Sequence, residues 1–143
     1  MARFEGGCLC GEIRFSLDGE SRMNLACHCS DCTRYNGGAP AYEAVFERSA
    51  FQLTKGAPRA YAGKGDSGRG IVRHFCADCG TPLYVHLEKL PRYIIMAAGA
   101  IDDFESFGVK AHIFAASAPA WHMFVPGADT FPGDFPPPPA KAS

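Results

Sequence analysis

Seven cysteines in three clusters carry the chemistry that can be read from this chain: Cys8-Leu9-Cys10, Cys27-His28-Cys29-Ser30-Asp31-Cys32 and Cys76-Ala77-Asp78-Cys79-Gly80. Thiolates separated by a short gap on a tight turn can converge on one ion, and Gly80 suits such a turn. Zinc takes sulfur and nitrogen ligands tetrahedrally, with Zn–S near ~2.3 Å. Other readings fare worse. Buried free cysteines behave as small hydrophobes, which explains one or two scattered residues and not three clusters. Disulfides need an oxidising compartment, and an odd count leaves one thiol over. A thioredoxin-like motif expects a βαβ setting, and no ferredoxin spacing points to an iron–sulfur cluster.

A closed structural zinc site uses four protein ligands, whereas a reactive one uses three and keeps a position open. Seven cysteines permit one of each. Two groupings are open. Cys8, Cys10, Cys76 and Cys79 could close one site, leaving Cys27, Cys29 and Cys32 on a single short loop. Alternatively, Cys29, Cys32, Cys76 and Cys79 could form a ribbon-like site, leaving Cys8, Cys10 and Cys27 scattered. The first is preferred because its remaining three are contiguous, and because it ties an N-terminal hairpin to a mid-chain one.

The elements that must position these clusters read as short strands. Glu12–Leu17 alternates apolar and polar residues, the period of a half-buried strand, and Asp18-Gly19 follows as a turn. Further strands are expected at 41–46, 51–54, 71–75, 83–87, 93–98, 112–115 and 121–125, rich in β-branched and aromatic residues and punctuated by Gly or Pro. One helical turn fits Ser30–Asn36, with Ser30 or Asp31 as cap and Gly37 as stop. The pattern predicts an all-β barrel or sandwich. The glycine-rich stretch 63–70 lacks the GK[ST] ending of a phosphate loop and is expected to be a flexible loop.

With 143 residues, nearly half of them hydrophobic, the chain is expected to form a single domain over residues 1–132. Residues 133–143 are expected to form a proline-rich extended tail, since consecutive prolines cannot join a sheet ladder. A formal net charge of -1 argues against a nucleic-acid partner. The longest apolar stretch, Tyr93–Ile101, is far short of the ~20 residues that cross a membrane, so no membrane partner is expected. No signal peptide is visible, and a cytoplasmic location, where thiols stay reduced, is the expectation.

Taken together, Gly7-Cys8-Leu9-Cys10-Gly11, Cys27-His28-Cys29-Ser30-Asp31-Cys32, Phe75-Cys76-Ala77-Asp78-Cys79-Gly80, His112-Ile113-Phe114 and Pro119-Ala120-Trp121 resemble the motifs of the glutathione-dependent formaldehyde-activating enzyme family, which includes the centromere protein V-type domains. The resemblance spans roughly Gly6 to Pro132. It implies an all-β, Mss4-like arrangement of sheets around zinc. It also implies two zincs per chain, a structural one on Cys8, Cys10, Cys76 and Cys79 and a reactive one on Cys27, Cys29 and Cys32. The implied activity is that of a carbon–sulfur lyase or synthase joining glutathione and formaldehyde as S-(hydroxymethyl)glutathione. Thr33 departs from the family's pattern, where a basic residue often follows the third cysteine. Here Arg34 comes one place later.

Three thiolates on Zn²⁺ make an electron-rich centre, a weak Lewis acid toward water that still binds an incoming thiol as thiolate, the nucleophilic form. Such a centre suits addition of a small thiol, with glutathione as co-substrate, to a small aldehyde. Cys27, Cys29 and Cys32 are therefore the candidate catalytic residues. His28 is either a proton shuttle near neutral pH or solvated. Asp31 is either a fourth ligand or, the preferred reading, a helix cap. Arg34, Arg69 and Arg73 could grip carboxylates of glutathione, against surface solvation. His28 and Arg34 are taken as the co-substrate contacts. His112 is at least equally a structural histidine, His74 and His86 are assigned no role, and Trp121 and Phe75 are expected in the core. The competing reading is a non-catalytic zinc-binding interaction module, and a thiol-based redox or metal-storage role is a third. A homodimer is compatible with the sequence.

Overall fold

The structure is a computed structural model that describes residues 2–65 and 67–136. Two sheets pack face to face. The smaller has the order β1-β2-β5, formed by Arg3–Gly7, Arg14–Asp18 and Phe51–Lys55. The larger has eight strands. In chain order these are β3 (Met23–Cys27), β4 (Ala41–Glu47), β6 (Arg59–Lys64), β7 (Gly70–Phe75), β8 (Pro82–Leu87), β9 (Tyr93–Ala97), β10 (Ala111–Ile113) and β11 (Asp129–Thr130). Their spatial order is β11-β10-β3-β4-β9-β8-β7-β6. The chain is all-β, with a single six-residue helix, α1 (Ser30–Tyr35), and four short 3-10 turns among the described residues. No helix among them is long and apolar enough to cross a membrane.

Strand alternation explains the layering. In β4, Ala44 and Phe46 are buried, as are Ile94 and Met96 in β9, and all four meet Phe15 and Leu17 of β2 in one core. Burying each large apolar side chain of this kind contributes about 1.5–3 kcal/mol. The alternate residues of the same strands, Glu43, Ile95 and Ala97, lie on the other face of the large sheet. That face is the one on which the second cluster of cysteines stands. It is covered only in part, by a smaller apolar group that joins Leu25, Cys27 and Ile113 to Phe114, Phe131 and Phe135.

Close approach of the backbone fixes β1 over the end of the core. Gly6 forms an antiparallel bridge to Ile101. A Cβ there would overlap the Ala100 carbonyl oxygen and meet the Phe15 ring at 2.5 Å, so only glycine fits.

Several expectations need correction. The strand expected at residues 121–125 is a turn and loop, and Trp121 is 73% exposed, not in the core. The run has no strand edge to join, because β10 already pairs with β3 and β11. The strand expected at 112–115 ends at Ile113, since Phe114 takes a left-handed conformation (φ 54) that leaves the sheet. The helix cap is Cys29, whose Sγ accepts a hydrogen bond from the Cys32 N–H at 3.3 Å. Neither Ser30 nor Asp31 plays that role. Of the glycine-rich stretch, Gly63, Lys64 and Gly70 belong to β6 and β7, and Asp66 lies outside the described residues. Most of the expected tail, residues 137–143, also lies outside them. Its first residues are held against the body: the Gly133 carbonyl accepts from the Phe114 N–H at 2.7 Å, and Asp134 pairs with Lys89 at 2.5 Å.

Candidate functional site

Two turns bring the first four cysteines together. The β1–β2 turn closes through Cys8 N–H to the Ile13 carbonyl (3.1 Å) and Gly11 N–H to the Cys8 carbonyl (3.1 Å). The β7–β8 turn repeats the device, with Cys76 N–H to Thr81 (3.0 Å) and Gly80 N–H to Cys76 (2.8 Å). Gly11 and Gly80 both take positive φ, which a side chain would strain. The Leu9 N–H donates to Thr81 Oγ1 at 3.0 Å and stitches one turn to the other.

The sulfurs of Cys8, Cys10, Cys76 and Cys79 all lie within 4.8 Å of one another. Sulfurs held ~2.3 Å from a shared tetrahedral ion stand about 3.8 Å apart. Cys8–Cys10 at 3.6 Å and Cys10–Cys76 at 3.8 Å match that spacing. Backbone N–H groups of Ile13 and Cys79 point at the sulfurs of Cys8 and Cys76, at 3.3 and 3.5 Å, as they would toward thiolates. The donor set and spacing therefore fit zinc, and they complete a closed four-sulfur set.

Cys27, at the end of β3, meets Cys29 and Cys32, at the start of α1, within the same 4.8 Å limit. The alternative grouping, with Cys29 and Cys32 beside Cys76 and Cys79, is thus ruled out. Asp31 is exposed and is not among these converging ligand atoms, though it lines the cavity beside them. Within the trio the Cys27 thiol is pushed up by its hydrogen bonds to Cys29 and Cys32 and by burial. The Cys29 thiol is held well below its ordinary range by its hydrogen bonds to Cys27 and Cys32, with the charge of Arg73 adding. Three sulfurs competing for protons in this way form a site that a cation relieves.

Beside the trio lies a cavity of about 200 Å³. Its wall carries the three cysteines, and Ile71, Val85, Leu87 and Ile95 form an apolar floor. Tyr35, Glu43 and Arg73 add the polar groups. Arg73 is buried and lies 5.5 Å over the Tyr35 ring. It makes no ion pair among the described residues. Burial raises the Glu43 carboxyl to about 8, with Cys29 adding to the effect and Arg73 opposing it. The Tyr35 hydroxyl is buried without a hydrogen-bond partner among the described residues. Loop residues Gly65, Ser67 and Arg69, with Lys89 and Asp134, form the remaining border.

The structure separates the other candidates. Arg34 is exposed and does not line the cavity, whereas Arg69 and Arg73 do. His28 is neither solvated nor in the cavity; it is 1% exposed and faces away from the trio's pocket, toward His112, His122 and Phe124. The Val125 N–H donates to His112 Nε2 at 3.2 Å, so the proton of neutral His112 sits on Nδ1. That Nδ1 donates to His28 Nε2 at 2.8 Å. Burial lowers His28 to about 4, with His122 and His112 adding, so its ring is neutral. Ring nitrogens of His28, His112 and His122 do gather within 4.8 Å. The lone pairs of His28 and His112 take part in hydrogen bonds, which tie the loop between Cys27 and Cys29 to β10 and to Val125. His74 and His86 stand on the core-side face with Tyr84, whose ring stacks on His74 at 4.4 Å. Sequence reasoning missed Glu43, Tyr35 and His122, because nothing in linear spacing links them to the cysteines.

A family profile described as glutathione-dependent formaldehyde-activating enzyme matches residues 3–117. A Halomonas elongata protein carrying that family name is 29% identical over 126 residues, 82% of this chain and 78% of the relative. A Fusarium vanettenii protein of the same family name is 32% identical over 93 residues, 62% of this chain and 49% of the relative. The chain thus spans about half the length of that fungal relative. A solved structure of a Rhodobacter sphaeroides protein superposes with a TM-score of 0.57 at 19% identity, covering 73% of this chain and 96% of the other. That likeness concerns the fold alone.

Proposed function

The chain belongs to the glutathione-dependent formaldehyde-activating enzyme family, and from that membership we propose that it is a zinc-dependent carbon–sulfur lyase or synthase acting on a thiol–aldehyde adduct. The observation that carries this reading is the contrast between the two sulfur sets. Four cysteines close on themselves between two turns, while three stand on the wall of a cavity. A purely structural role needs only the first arrangement, since a closed zinc site uses four ligands.

Cys8, Cys10, Cys76 and Cys79 would hold one zinc to brace the fold, and Cys27, Cys29 and Cys32 would hold the other. When bound there, zinc supplies a position that keeps an incoming thiol, such as that of glutathione, in its thiolate form. The remaining work belongs to the cavity's own groups. The thiol's proton passes to solvent, from which Glu43 is later reprotonated; addition then forms the S–C bond, breaks the C=O π bond and leaves an alkoxide, which takes a proton. Arg73 offsets the negative charge that the sulfurs and this oxygen share. Glu43, protonated through burial, supplies the proton, and the Tyr35 hydroxyl donates to the same oxygen. Cleavage of the adduct returns the proton to Glu43. On the border, where Lys89 is paired with Asp134, Arg69 suits a carboxylate of glutathione. With seven free cysteines, the protein would work in a reducing compartment such as the cytoplasm.

The test is the rate of S-(hydroxymethyl)glutathione formation and breakdown by the zinc-loaded chain. Acceleration over the uncatalysed exchange is expected, and Cys29→Ser should abolish it. A Cys29→Ser protein with full activity would sink the proposal.

A further inference from the structure

The cavity is more apolar than the proposed pair of substrates requires. Formaldehyde contributes one carbon to the adduct, and the rest of S-(hydroxymethyl)glutathione is a peptide bearing charged groups. Yet the floor next to the cysteines is built from Ile71, Val85, Leu87 and Ile95. These four are neighbours by register: Ile71 pairs with Leu87, and Val85 stands between Arg73 and Ile95. Ile71, Val85 and Leu87 are only half-buried. They lie on the face of the large sheet turned away from the main core, and they are not part of either apolar cluster of the fold. All three line the cavity.

Resting on the function proposed above, we infer that this site selects adducts whose carbonyl-derived part carries an apolar group of several carbons, and that formaldehyde is a poor fit. The sulfur sits against Cys27, Cys29 and Cys32, the adduct oxygen lies toward Arg73, and the apolar group covers Ile71, Val85 and Leu87. The charged ends of glutathione reach the border, where Arg69 stands. A one-carbon adduct leaves the floor wet and gains nothing from it. Each methylene buried there is worth about fourfold in affinity.

Stable thioethers test this without turnover. Calorimetric titration of the zinc-loaded full chain should give S-hexylglutathione an affinity about 30-fold or more above that of S-methylglutathione, for partial burial of five added methylenes. Ile71→Thr keeps the β-branched shape of an exposed-side strand residue. It should cut that ratio several-fold while leaving S-methylglutathione affinity within twofold. Leu87→Thr, at the end of its strand, should do the same if Ile71→Thr fails to fold. Equal affinity for the two thioethers would overturn the inference, even for a protein that turns over S-(hydroxymethyl)glutathione. A 30-fold ratio in a protein that turns over neither the formaldehyde nor the hexanal adduct would uphold the apolar site and sink the proposed reaction instead. No binding of either thioether would overturn the inference and leave the proposed reaction to its own turnover test.

Discussion

At the scale of single residues, placement of charge decides the account. Arg73 is the buried cation on the wall shared with the three cysteines. Arg73→Met should lower kcat by about 100-fold, the size of effect seen when a transition-state charge partner is lost, and leave zinc content unchanged; Arg73→Lys should recover part of the loss. Unchanged kcat in Arg73→Met would remove this residue from the mechanism. His112 carries a different prediction. Its Nδ1 proton satisfies the buried His28 Nε2, so His112→Ala should cost about 1–3 kcal/mol in urea unfolding by orphaning that acceptor. His86 sets a pH dependence. Burial lowers its pKa to about 4, with Arg48 and His74 adding. The unfolded chain binds a proton near pH 6.5 while the folded chain resists doing so until about 4, so stability is full above 6.5 and falls as pH drops toward 4. His86→Phe keeps the ring and removes the proton site, and it should flatten part of that decline in a Tm-against-pH series. The cysteine groupings were legible at this scale because spacing and count constrain them. Arg73 was legible only as one of three arginines, and Glu43 not at all, since strand register alone brings it to the cysteines' face.

At the scale of elements, the two turns that carry Cys8, Cys10, Cys76 and Cys79 depend on strands placed by backbone contact as much as by side chains. Gly6→Ala would drive a Cβ into the Ala100 carbonyl. It should destabilise the chain by about 2 kcal/mol or more, and thermal melting with zinc present measures it. A melting point unchanged from the parent would show that β1 can shift without cost. The strands with alternating or β-branched sequence, β2, β4, β5, β7, β8 and β9, were readable from residue pattern alone. By contrast, β1 (Arg3-Phe4-Glu5-Gly6-Gly7), β3 (Met23-Asn24-Leu25-Ala26-Cys27) and β6 (Arg59-Ala60-Tyr61-Ala62-Gly63-Lys64) lack β-branched residues. They are strands because a neighbour offers an edge: β2 for β1, β4 and β10 for β3, β7 for β6. The aromatic run at 121–125 fails for the converse reason, having composition without an edge.

At the scale of the whole molecule, the two sulfur sets stand on the two sides of one sheet system. The closed set joins the small sheet's first turn to the large sheet's β7–β8 turn, across 66 residues between Cys10 and Cys76. The open set stands on the far face, where β3, α1 and the β7–β8–β9 floor enclose the cavity. Loss of the first should therefore unfold the chain, and loss of the second should leave it folded and inactive. The most direct test is zinc per chain, measured on the intact protein and on the Cys27→Ser/Cys29→Ser/Cys32→Ser variant, with circular dichroism to follow folding. The account predicts two zincs falling to one, a native spectrum retained, and all adduct turnover lost. A variant that still binds two zincs, or that keeps its activity with one, would contradict it.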